Sequence, residues 1–108
     1  MRPAVRIAVY RIVQEDLTNI QQHGAASAVE ITVRFSPRRL RIQIRDDGQG
    51  FDTQQVMLSP PADHFGLIGM RERATSVGGT LRIESTWGRG SQVILEVPNT
   101  ESRLESGE

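Results

Sequence analysis

Asp46 occupies a position where a carboxylate is costly. In Leu40-Arg41-Ile42-Gln43-Ile44-Arg45-Asp46, apolar and polar residues alternate with the period of a strand, which puts Leu40, Ile42, Ile44 and then Asp46 on one face. A carboxylate there carries a large desolvation penalty unless it accepts hydrogen bonds, and an adenine amino group is a suitable donor. Asp47 has the opposite parity and is expected to face solvent. Gly48 and Gly50 follow, permitting backbone angles and close ligand approach that a Cβ would obstruct. Taken alone, an Asp-x-Gly-x-Gly run also describes an ordinary acidic turn.

Three other groups of residues could do chemistry with it. Glu15, Asn19 and His23 are spaced four apart in a helical stretch, so they form a polar row along one side, which equally describes a solvated helix face. The segment His64-Phe65-Gly66-Leu67-Ile68-Gly69-Met70 opens a second helix through glycines. That arrangement offers backbone N–H groups and the positive end of a dipole to phosphate, or is simply a flexible loop before a helix. Gly88-Arg89-Gly90-Ser91 makes a tight turn between two strand-like runs.

The elements that must position these residues are legible in the pattern. A helix is expected over 5–22, with Val5, Val9, Ile12, Val13, Leu17 and Ile20 as its apolar residues. Strands follow over 28–35 and 40–45, joined by a turn at 36–39; Val29, Ile31, Val33 and Phe35 share the face expected to meet the core. Residues 54–63 contain Pro60-Pro61 and no periodicity, so they read as a mobile lid. A helix over 67–77 is stopped by Gly78-Gly79, and strands over 80–85 and 92–97 close the domain. Trp87 is read as a hairpin-end aromatic packed on the sheet, and 100–108 as a disordered tail.

Composition narrows the classes without choosing among them. A chain of 108 residues is one domain, and zero cysteines exclude a disulfide framework or a thiolate metal site. Thirteen basic and thirteen acidic residues balance, and the arginines are scattered, which argues against nucleic acid as the main partner. No stretch approaches the length of a membrane-spanning helix.

In this order, the motifs resemble the ATP-binding domain of the gyrase, Hsp90, histidine kinase and MutL superfamily, with the nearest similarity to sensor histidine kinases that pair with NarL-type response regulators. The words that carry the resemblance are Tyr10-Arg-Ile-Val-Gln-Glu15-Asp-Leu-Thr-Asn19, Asp46-Asp-Gly-Gln-Gly50-Phe51 and Gly66-Leu-Ile-Gly69-Met-Arg-Glu-Arg73, spanning 4–98. The resemblance implies an α+β, two-layer α/β sandwich of the Bergerat type, with a mixed, mostly antiparallel sheet and helices on one face. Its domain would be 1–98, followed by the tail at 99–108. It implies ATP and Mg²⁺ as cofactors, with Asn19 as the magnesium ligand and Glu15 orienting or deprotonating the accepting imidazole. His23 falls where relatives contact sugar or base, though a solvated histidine fits as well. Gly66, Leu67, Gly69 and Met70 would close over the phosphates, and Ser91 would support Asp46 through its hydroxyl and a water.

The implied setting is cytoplasmic, including the cytoplasmic portion of a membrane-anchored sensor. The implied partners are a dimerisation domain bearing the accepting histidine and a NarL-type response regulator, within a homodimeric full-length protein. Two departures qualify the match. Asp16 replaces the alanine usual beside Glu15; it is expected to face solvent, and turned inward it would repel phosphate and hinder turnover. Relatives begin the domain with another strand and helix, so the chain reads as a truncated core that binds ATP with little turnover, and an unpaired sheet edge invites self-association. An anti-sigma-factor-like serine kinase or non-catalytic switch, and an ATP-driven clamp, use the same fold.

Overall fold

The structure, a computed structural model, describes residues 1–52 and 66–99. Helix α1 (Pro3–Asn19) continues into a π-helical turn (Ile20–Gly24); β1 (Val29–Phe35), β2 (Arg39–Asp46), α2 (Leu67–Ser76), β3 (Thr80–Ser85) and β4 (Ser91–Pro98) follow. The expected lid at 54–63, His64, and the tail at 100–108 lie outside the described residues. The sheet order is β1-β2-β4-β3, and every pairing among the described residues is antiparallel.

Helix α1 begins at Pro3, whose missing N–H is no loss in a first turn. It buries Val5, Ala8, Ile12, Asp16 and Asn19, a stripe at three- and four-residue spacing that starts apolar and ends polar. Helix α2 stops where the Gly78 N–H donates to the Thr75 carbonyl at 3.0 Å and the Gly79 N–H to that of Ala74 at 2.8 Å. Both helices lie on one face of the sheet. Ile12, Leu67 and Met70 from the helices meet Ile44, Leu95 and Val97 from the strands in a shared core.

The opposite face is wet and laced by polar contacts. Gln43 Nε2 donates to Gln92 Oε1 at 2.5 Å, Gln92 Nε2 to Glu84 Oε1 at 2.6 Å, and Arg82 pairs with Glu84 at 2.9 Å. Exposed pairs of this kind contribute at most about 1 kcal/mol each, so they keep the face soluble more than they hold it together.

Three expectations are corrected. Val29, Ile31, Val33 and Phe35 share a face with the buried Ile42 and Ile44, yet all four are exposed. The helices lie over β3 and β4, and their cover does not reach the edge strand. Leu17 is likewise exposed on α1. Trp87 is exposed because it sits in a turn closed by the Arg89 N–H on the Thr86 carbonyl at 2.9 Å, which carries it off the sheet. Among the described residues, no helix is long and apolar enough to cross a membrane.

The division between covered and uncovered strands sets an expected contrast in stability. Leu95→Ala, at a fully buried site on β4, should destabilise the chain by about 2–5 kcal/mol. Phe35→Ala on β1 should change stability by less than about 0.5 kcal/mol. Urea titration of the two variants measures both, and equal losses would contradict the uncovered state of β1.

Candidate functional site

Asp46 closes β2 on the core side, as its parity requires, and is 5% exposed. Its carboxylate is held from two directions. The Gly48 N–H donates to Oδ1 at 2.8 Å, and the Ser91 hydroxyl donates to Oδ2 at 2.5 Å. The second bond follows from register, since β2 and β4 pair Asp46 directly with Ser91. Gly90 makes this pairing close. Its φ of 81° and the 2.3 Å that would separate a Cβ from the Asp46 carbonyl oxygen leave room only for hydrogen.

Asp46 lies on the wall of a cleft also lined by Asp16, Asn19, Ile20, His23, Gly50, Phe51, Leu67, Ser91 and Val93. The helical row therefore divides. Asn19 and His23 reach the cleft, while Glu15 does not line it and instead packs against Gly66. A Cβ on Gly66 would stand 2.8 Å from Glu15 Oε2, and Gly66 takes a φ of 65° at the N-terminus of α2. Gly69 lies within the first turn of α2, where a Cβ would meet only Arg73 at 3.7 Å. The Met70 N–H donates to the Gly66 carbonyl at 3.0 Å, and its side chain is fully buried. Met70 thus contributes to the helix and the core.

Asp47 faces solvent, but it is not idle. Its Oδ1 accepts from the backbone N–H groups of Ser27 at 2.8 Å and Ala28 at 3.0 Å, and these bonds, that from Ala28 foremost, lower its pKa. Gln49 Nε2 donates to the His23 carbonyl at 2.6 Å. Together they fasten the glycine turn to the exit of the π-helical turn, which ends on Ala25 with a left-handed φ of 52°.

The main correction concerns Asp16, which is 6% exposed and points into the cleft. It lies four residues after the fully buried Ile12, so the apolar phase of α1 carries it inward. That phase was the signal available in the sequence. Burial, and secondarily the Asp46 carboxylate, pushes its pKa up to about 7. Ile20, Phe51 and Val93 also join the cleft as ordinary apolar wall residues.

Because the folded pKa of Asp16 is raised, its contribution to stability is complete below the unfolded value of 3.8 and is lost as pH rises toward 7. Asp16→Asn, which cannot ionise, should therefore be more stable than the parent at pH 8 by about 2–4 kcal/mol. The difference should vanish near pH 3.5. Denaturant titrations across this pH range test it, and a gap independent of pH would show that Asp16 ionises freely.

The chain matches the family of histidine kinase-, DNA gyrase B-, and HSP90-like ATPases over residues 4–101. It is 38% identical over 90 residues to the sensor histidine kinase LiaS of Bacillus subtilis, covering 83% of this chain and 24% of that protein. It is 41% identical over 96 residues to the signal transduction histidine-protein kinase/phosphatase UhpB of Salmonella typhimurium, covering 86% and 17%. It thus spans about a quarter or less of these relatives. Among solved structures, the ATP binding domain of PrrB from Mycobacterium tuberculosis superposes with a TM-score of 0.67 at 25% identity, covering 85% of this chain and 67% of that one. A match running through both helices and all four strands settles the affiliation: this chain belongs to the histidine kinase-, DNA gyrase B-, and HSP90-like ATPases.

Proposed function

We propose that this chain is the ATP-binding catalytic domain of a sensor histidine kinase and that Asp46 reads the adenine amino group. The observation that carries the reading is the Asp46 carboxylate. Gly48 and Ser91 each occupy one of its oxygens, and a carboxylate has about four acceptor positions, so capacity remains toward the cleft. The cleft holds about 20 Å³, room for about one water, so a purine must part its walls on entry.

Asn19, buried on α1 and lining the same cleft, supplies a neutral oxygen suited to Mg²⁺. Among the described residues, no three carboxylates or imidazoles cluster, so the ion would be carried mainly by the phosphates of the nucleotide. The phosphates approach the N-terminal turn of α2 near Gly66 and Gly69, where the helix dipole favours negative charge. Glu15, against Gly66 at that end, would orient or deprotonate an incoming imidazole. In the intact protein the γ-phosphoryl passes to a histidine of a separate dimerisation domain and from there to the aspartate of a NarL-type response regulator, by positioning and charge neutralisation. Such a protein works as a homodimer with this domain in the cytoplasm, whether or not the sensor is membrane-anchored.

Calorimetry with the 108-residue chain tests the site. Asp46→Asn should lose about 2–3 kcal/mol of ATP affinity while Asp47→Asn loses little, and reversal of the two would refute the assignment of the base-reading carboxylate. Asn19→Ala should weaken Mg·ATP binding but leave metal-free adenosine binding intact; equal losses would remove Asn19 from the metal site. Supplied with a dimerisation domain and labelled ATP, the domain should transfer label that is lost in acid, as phosphohistidine is. An acid-stable label would point to a hydroxyl acceptor.

A further inference from the structure

Buried polarity gathers at one place in this fold. Among the described residues, the buried polar side chains are Asp16, Asn19 and Asp46, and all three line the nucleotide cleft. The two carboxyls are not equally provided for. Asp46 accepts from the Gly48 N–H and the Ser91 hydroxyl, whereas among the described residues nothing donates to the Asp16 carboxyl, although Asp16 is as deeply buried. Among those residues no fully enclosed side-chain oxygen or nitrogen lacks a partner, so the Asp16 oxygens open onto the cleft. A carboxyl held there without a donor is costly, and a ligand entering the cleft can supply what the protein does not.

The two carboxyls reach the cleft from different layers. Asp46 ends β2 on the core side of the sheet, and Asp16 stands on α1 above it. They are close enough to interact, since the Asp46 carboxylate adds to the effect of burial on Asp16. A ligand that satisfies both must bring two N–H donors to one spot. The exocyclic amine of adenine does so, because its two hydrogens diverge in the plane of the ring, one toward N1 and one toward N7. A purine with a keto oxygen at that position would turn lone pairs toward both acceptors. A carboxyl accepts through its carbonyl oxygen whether or not it is ionised, so the contact does not depend on the charge of Asp16.

We infer that Asp16 is a second base-reading residue, which accepts one hydrogen of the adenine amine while Asp46 accepts the other, so that the cleft selects a primary amine. The inference rests on the reading of Asp46 as the adenine contact. It makes α1 a source of base specificity as well as of the metal-side group Asn19.

N6-methyl-ATP keeps one amine hydrogen and loses the other, so whichever way the methyl turns, one carboxyl faces it. Calorimetry should find that the parent binds Mg·ATP at least tenfold tighter than Mg·N6-methyl-ATP. Asp16→Ala places the best helix former on α1 and should keep the parent circular dichroism. It should bind Mg·ATP roughly tenfold more weakly than the parent and bring the two ligands within about threefold of each other. Asp16→Asn retains a carbonyl acceptor and should restore most of the discrimination. Equal losses of both ligands in Asp16→Ala, as a metal-binding or merely structural role would give, tighter ATP binding by that variant, or an Asn variant as indifferent as the Ala variant would each overturn the inference. Asp46→Asn separates the two readings: if it binds ATP like the parent, the base-reading assignment of Asp46 falls and this inference with it. If it loses affinity while the selectivity of Asp16→Ala matches the parent, only the role of Asp16 falls.

Discussion

The site exists because a carboxylate is kept on the dry side of a sheet. A carboxyl group at that depth is tolerable only with donors fixed around it, and the fold supplies them from two non-adjacent parts of the chain: the glycine turn through Gly48 and β4 through Ser91. That requirement fixes much else. The register of β2 on β4 must hold to the residue, since a slip by one would put Ser91 and Asp46 on opposite faces of the sheet.

Asp16 sets a second, opposing condition. Two carboxylates share one cleft, and burial favours the neutral form of at least one of them. The helix could have placed an apolar residue at this position and gained stability, as it does at Ile12. The sequence instead continues the buried stripe with Asp16 and Asn19, converting the end of a core-facing helix into a polar wall. What the helix loses in packing there, it gains in groups able to meet a polar ligand.

Periodicity carried the sequence reading a long way where local rules govern. The alternation in β2 was enough to place Asp46, and Gly78-Gly79 located the end of α2 within a residue. Burial depends on what lies overhead, and there the reading failed. The alternation in β1 is as regular as that in β2, but its apolar face is uncovered because the helices lie elsewhere. Asp16 was misjudged for the opposite reason: residue type suggested solvent, whereas helical phase from Ile12 pointed inward. The π-helical turn at Ile20–Gly24 and the left-handed Ala25 follow from tertiary connections that no local pattern encodes.

The glycine turn after Asp46 is a junction as much as a binding loop. Asp47 grips the approach to β1 at Ser27 and Ala28, Gln49 grips the end of the π-helical turn at His23, and the Gly88 N–H reaches the Gln49 carbonyl at 2.5 Å from the β3–β4 hairpin. Helix, sheet and hairpin are thus tied through three consecutive residues, 47–49. Opening such a loop breaks bonds to all three at once, which couples its opening to theirs.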